Sequence, residues 1–93
     1  MSIVVRYLPV PASTIEQYDE VMRRLRESGE MPADGFDYHV AFQSDGQLFV
    51  SEVWDSLEQL EAFGKRIMPV LADVALEHSG RPELFEVHNV VRR

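Results

Sequence analysis

The amino-acid sequence predicts an α+β protein. The specific expectation is a ferredoxin-like βαββαβ sandwich, with two helices on one face of a four-stranded antiparallel sheet. Three observations predict it. Residues 36–43 (FDYHVAFQ) alternate in polarity, turn at Ser44-Asp45-Gly46-Gln47 and return as 48–54, a hairpin around a favoured Asp-Gly core. Two segments with apolar residues at helical spacing flank that hairpin. Apolar, β-branched segments at 3–8 and 84–91 supply the outer strands. Ninety-three residues make one domain, spanning 1–93.

The elements follow in order. Strand one, 3–8, ends at Pro9 and Pro11. Helix one opens on Ser13, whose spacing to Glu16 fits a capping box, and runs to about Glu27. Ile15, Tyr18, Met22 and Leu25 form its apolar stripe, and Ser28-Gly29 ends it. The loop 30–35 (EMPADG) has turn chemistry. After the hairpin, the stretch 51–63 (SEVWDSLEQLEAF) joins a strand end, a corner and a helix start. Asp55 or Ser56 can cap that second helix, and Ser56 with Gln59 again has capping-box spacing. Leu57, Leu60, Gly64, Ile67, Leu71 and Val74 are its stripe. Pro69 lacks a backbone donor, which predicts a kink or a restart near Met68. A stop at 78–82 (HSGRP) precedes the final strand, 84–91, with Arg92 and Arg93 fraying.

Composition narrows the function. Hydrophobic residues are 45% and charged residues 27%, the balance of an ordinary globular domain. A net charge of −7 opposes a phosphate backbone, so no nucleic-acid partner is expected. Arg23, Arg24 and Arg26 sit among Glu16, Asp19, Glu20 and Glu27 and are expected to be a solvated helix face. No apolar run approaches the ~20 residues of a membrane helix. No basic-then-apolar leader opens the sequence, and cysteine is absent. A cytoplasmic protein without membrane contact, disulfides or thiol chemistry is expected.

With Asp45-Gly46 as the turn core, Phe42 pairs with Phe49, Val40 with Ser51, His39 with Glu52, Tyr38 with Val53 and Asp37 with Trp54. Phe36, Tyr38, Val40, Phe42, Phe49 and Val53 then share one sheet face, and the two helices can cover only the other. Leaving Phe36, Val40, Phe42 and Phe49 in water would forgo about 1.5–3 kcal/mol each. A homodimer through that face, by a two-fold interface, is therefore expected.

The βαββαβ order, the corner Val53-Trp54-Asp55-Ser56 and the following Glu58 and Glu61-Ala62-Phe63 resemble the dimeric α+β barrel superfamily. The similar branch is the antibiotic-biosynthesis-monooxygenase-like group. Gly35-Phe36-Asp37-Tyr38-His39, Pro69 and Val87-His88-Asn89-Val90-Val91 are similar to a subgroup of short bacterial proteins. The resemblance implies a homodimer whose two sheets form a barrel, with a pocket between sheet and helices in each subunit. Enzymes of the group include cofactor-free monooxygenases of aromatic polyketides and haem-degrading monooxygenases; others isomerise or cyclise small molecules. The haem-degrading pattern is not matched: Trp54 fits, but the first strand has no Asn and Gly64 stands where that pattern needs a helix His.

His39 and Glu52 are the candidate catalytic pair. They should project from the helix-facing side directly opposite each other, with Cβ atoms about 5 Å apart. A carboxylate orients an imidazole for general acid/base work or for holding a substrate oxygen. A buried, mutually bonded polar pair without catalysis has the same signature. The candidate ligand-binding residues are Trp54, to stack on a flat molecule, Tyr7, to lend a hydroxyl, and Phe63, to wall the pocket; each also suits plain core packing. Glu86 and His88 share a strand face, but spacing alone does not make a metal site, and no metal or cofactor is called for. His78 is placed to meet the free carbonyls ending helix two.

Two functions remain open. One is a cofactor-independent oxygenase-like or isomerase-like enzyme acting on a small, partly aromatic molecule. The other is a non-catalytic ligand-binding or assembly module. A cavity of a few hundred Å³ reaching His39 would favour the first. The sequence names neither substrate nor reaction.

Overall fold

The computed structural model of the chain describes residues 2–8, 14–76 and 81–93. Its elements are β1 (Ile3–Tyr7), α1 (Ile15–Ser28), β2 (Phe36–Ser44), β3 (Gln47–Trp54), α2 (Leu57–Val74) and β4 (Glu83–Glu86). The strands form one antiparallel sheet in the order β2-β3-β1-β4. This is the α+β ferredoxin-like arrangement, with β1 and β3 central and each leading into a helix.

Local chemistry sets the helix ends. The α1 capping box stands one residue later than expected. The Thr14 hydroxyl accepts from the Gln17 backbone N–H at 3.1 Å, and Gln17 Oε1 accepts from the Thr14 N–H at 2.8 Å. Ser13 lies outside the described residues. Gln17 Nε2 also donates to the carbonyls of Val74 and Ala75, at 3.4 and 3.3 Å, so one side chain ties the start of α1 to the end of α2. Gly29 ends α1 in the left-handed region. Ser56 caps α2, its Oγ accepting from the Gln59 N–H at 3.2 Å. Gly35 sits against the same corner: its φ is +82°, and a Cβ there would stand 2.3 Å from Gln59 Cδ. Its carbonyl accepts from the Asp55 N–H at 2.8 Å, pinning the loop to the strand end.

Of the kink or restart expected in α2, the restart is removed: the helix runs unbroken through Pro69. Both Pro69 and Lys65, whose carbonyl loses its partner, are exposed, and water can replace the one missing bond. The helix ends at Val74, before the expected stop; His78 and most of that stop lie outside the described residues. On α1 the arginines form the expected solvated face: Arg23 bridges Glu20 and Glu27 at 2.8 and 2.9 Å, and Arg24 bonds Glu20 and Asp73.

The hairpin turns through Asp45 and Gly46, both at positive φ (52° and 76°), as a two-residue turn requires. Its register matches the expectation from Ser44–Gln47 up to Tyr38–Val53, including His39–Glu52. Beyond Tyr38 it does not. A β-bulge lies between Phe36 and Tyr38, so Phe36, and not Asp37, pairs with Trp54. The extra residue turns Phe36 onto the helix side, where it meets Trp54 edge-on at 5.6 Å between ring centroids. Phe36 therefore leaves the proposed interface face and joins the core. The last strand is also shorter than expected, because its partner runs out: Glu86 pairs with Ile3, the first residue of β1, and only the Val87 N–H reaches past it, to the Ser2 carbonyl at 3.0 Å.

Val5 and Trp54 are completely buried at the centre of the sheet. Val21 and Leu25 of α1 and Leu60 and Phe63 of α2 close over them. The opposite face carries Val4, Tyr38, Val40, Phe42, Phe49, Val53 and Phe85. Among these Tyr38, Phe42 and Phe85 are exposed, and Phe42 stacks on Phe49 with centroids 5.3 Å apart.

Candidate functional site

The alternation of a strand puts residues two apart on one face. Tyr7 on β1, His39 on β2 and Glu52 and Trp54 on β3 all point toward the helices, and Tyr18 comes down from the α1 stripe to meet them. Glu52 is only 5% exposed, yet every buried polar side-chain atom among the described residues has a partner. Its Oε1 accepts from Trp54 Nε1–H at 3.1 Å and its Oε2 bonds His39 Nδ1 at 2.7 Å. The Tyr7 hydroxyl bonds the same carboxylate. On the far side of the imidazole, His39 Nε2 meets the Tyr18 hydroxyl at 2.6 Å. The Tyr18 and His39 rings lie nearly parallel, at 18°, with centroids 5.8 Å apart.

Burial first, and then the Glu52 charge, push the Tyr7 phenol well above its ordinary value; its bond to Glu52 acts the same way. Tyr18 is raised mainly by burial and next by Glu52, with Arg26 opposing and Asp19 adding. With Nδ1–H turned to the Glu52 carboxylate, Nε2 is placed to accept from the Tyr18 hydroxyl. The sign for stability follows. Above pH 10 the unfolded chain releases phenolic protons that the fold retains, so the unfolded state binds fewer protons and stability falls as pH rises. In a Tyr38→Phe background, tyrosinate absorbance at Tyr7 and Tyr18 is expected to appear together with loss of the far-ultraviolet helix signal. A simple titration near pH 10 with the fold intact would contradict the network.

This network lines a cavity of about 640 Å³ between sheet and helices. The walls are largely aliphatic, from Val5, Val21, Leu25, Leu60, Ile67 and Leu71, with Tyr7, Tyr18, His39 and Glu52 as the polar group. The structure thus brings four of the five sequence candidates, His39, Glu52, Tyr7 and Phe63, to one cavity. Trp54 is the correction. It does not line the cavity but lies behind it, fully buried between Phe36 and Phe63, so it has no face for a flat ligand. Its indole supports the site through the Glu52 carboxylate and through the Phe63 ring. Tyr18 is the residue sequence reasoning missed. The signal was its place as the one hydroxyl in an otherwise aliphatic helical stripe. Among the described residues no three histidine or acidic side chains gather to hold a metal ion, and no helix is long and apolar enough to cross a membrane.

No protein-family model and no curated protein matches the chain. Solved structures do. SnoaB, a cofactor-independent oxygenase from Streptomyces nogalater, superposes with a TM-score of 0.64 at 13% identity, over 99% of this chain and 96% of that one. A candidate antibiotic biosynthesis monooxygenase from Caulobacter crescentus superposes at 0.58 and 18% identity, over 97% and 89%. The chain has the antibiotic-biosynthesis-monooxygenase-like fold. A de novo designed protein, Foldit4, reaches 0.58 at 14% identity over 95% of this chain and all of that one. The fold can therefore also be built by design, and the case for chemistry in this chain rests on the side chains in its cavity.

Proposed function

We propose that this protein is a cytoplasmic homodimer that binds a small, partly aromatic molecule in the cavity beneath its helices and acts on it as a cofactor-independent enzyme. The chemistry is proton transfer, the step that enolisation, isomerisation and oxygenation of a carbanion have in common. The observation that carries this reading is a hydrogen-bonded His39–Glu52 pair lining a 640 Å³ aliphatic cavity. Buried polar groups cost free energy, and a chain indifferent to chemistry would do as well with apolar residues there. The likeness to SnoaB, itself a cofactor-independent oxygenase, supports the same reading.

A second reading has its own observation. Glu52 is fully partnered by Tyr7, His39 and Trp54, as a purely structural polar cluster would be. The pocket would then hold a ligand without turnover.

Deuterium exchange separates the two. With 2-tetralone, a small partly aromatic ketone with acidic C–H bonds, wild type in D₂O is expected to bind the ketone and accelerate exchange beside its carbonyl. His39→Ala should slow that exchange by roughly 100-fold or more, the usual scale of general acid–base catalysis. Binding without exchange would favour the non-catalytic module, and no binding would remove the pocket reading.

A further inference from the structure

Both nitrogens of His39 are already engaged. Nδ1 is held by Glu52 at 2.7 Å and Nε2 by the Tyr18 hydroxyl at 2.6 Å. An imidazole has no third site, so a molecule in the cavity finds no free nitrogen on this ring. A phenol oxygen differs: after donating its one hydrogen it still has lone pairs to accept another. Tyr18 and His39 both line the cavity, and Tyr18 is only half-buried. We propose that Tyr18, and not His39, exchanges the proton with the bound molecule, as the outer end of a Tyr18–His39–Glu52 relay.

The step balances without an oxidant or a cofactor. A C–H bond beside a ligand carbonyl breaks, its electron pair passing to the carbonyl oxygen, and its proton moves to the Tyr18 oxygen. The Tyr18 proton moves to Nε2. The ligand is left as an enolate, Tyr18 stays neutral, and the imidazolium faces the Glu52 carboxylate. Reversal returns a proton to the same ligand atom, which is exchange, or to a neighbouring one, which is an isomerisation. Two features suit Tyr18 to this role. Its raised pKa keeps the phenol protonated at rest, so the relay starts loaded. Its hydroxyl already lies 2.6 Å from Nε2, which sets the direction in which the proton leaves. The charged and titratable groups around it are Tyr7 on β1, His39 and Glu52 on the sheet, Asp19 and Arg26 on α1, and Glu61 and Lys65 of α2 along the same cavity. Tyr18 also lines a second recess with Asp19, Met22, Arg23, Arg26 and Glu27 of α1.

The inference rests on the reading that the cavity is where a proton is exchanged, and the test keeps the two apart. Tyr18→Phe removes one oxygen and leaves Nε2 bare. With 2-tetralone in D₂O, this variant is expected to bind the ketone within about twofold of wild type and to lose exchange by about 100-fold. Tyr18→3-fluorotyrosine, with a more acidic phenol, should restore exchange and shift its pH profile toward acid. A Tyr18→Phe variant that exchanges as fast as wild type, or faster through the bared Nε2, overturns the relay and returns the step to His39. An unmoved pH profile with the fluorinated residue does the same. Wild type that fails to bind or to exchange the ketone defeats the cavity reading itself and removes the relay with it.

Discussion

Trp54→Ala is expected to lower unfolding free energy by about 3–5 kcal/mol, the range for deleting a large buried aromatic. For a domain of this size, stable by roughly 5–15 kcal/mol at most, that leaves a chain close to unfolding. Three losses combine. Trp54 has no exposed surface, so its whole transfer free energy is forfeited. Its ring touches Phe63, at 5.2 Å between centroids, and Phe36, at 5.6 Å, so the cavity left behind has two rigid walls that cannot collapse into it. Its N–H donates to Glu52 Oε1 at 3.1 Å, and the buried carboxylate loses that bond. Trp54→Phe separates the terms, because it keeps most of the apolar volume and removes the donor. Its cost is expected to be about 1–3 kcal/mol. Urea unfolding followed by circular dichroism measures both. A cost below about 1 kcal/mol for the alanine variant would mean that the indole is not the centre of this core.

The elements that the sequence made legible are those set by local chemistry. The Asp45-Gly46 turn imposes the hairpin register, and that register alone placed His39 opposite Glu52. Ser56 imposes the start of α2 through one hydrogen bond. What was illegible depends on tertiary context. Alternation from Phe36 to Gln43 is unbroken in the sequence, and nothing in it marks the bulge at Asp37 that sends Phe36 into the core. The length of β4 is decided by where β1 starts, at the opposite end of the chain. Trp54 could be read as a ligand-stacking residue because a strand-end indole has the same sequence signature in a wall as in a floor. The partnership of Tyr18 with His39 needed the distance between a helix and a sheet, which no spacing in the chain encodes.

The proposed dimer makes the other large prediction. The sheet face away from the helices carries Tyr38, Phe42 and Phe85 at 53%, 45% and 47% exposure, with Val4, Val40, Phe49 and Val53 between them. Covering such half-exposed side chains returns roughly 1 kcal/mol each. A two-fold interface uses every one twice, for a sum on the order of 10 kcal/mol. Association itself costs about 4–15 kcal/mol. Because gain and cost are close, the centre of the face decides the outcome. Val40→Asp with Phe42→Asp removes two apolar contacts per copy and places four carboxylates together where water would be excluded. Each costs several kcal/mol unless paired, which exceeds any margin the interface holds. Light scattering at micromolar concentration is expected to give twice the 10.7 kDa chain mass for wild type and a single chain for the double variant. The variant should still fold, since neither position belongs to the core cluster beneath the helices. A wild-type mass of one chain would leave this apolar face without its proposed cover. A double variant that stays paired would move the interface elsewhere on the molecule.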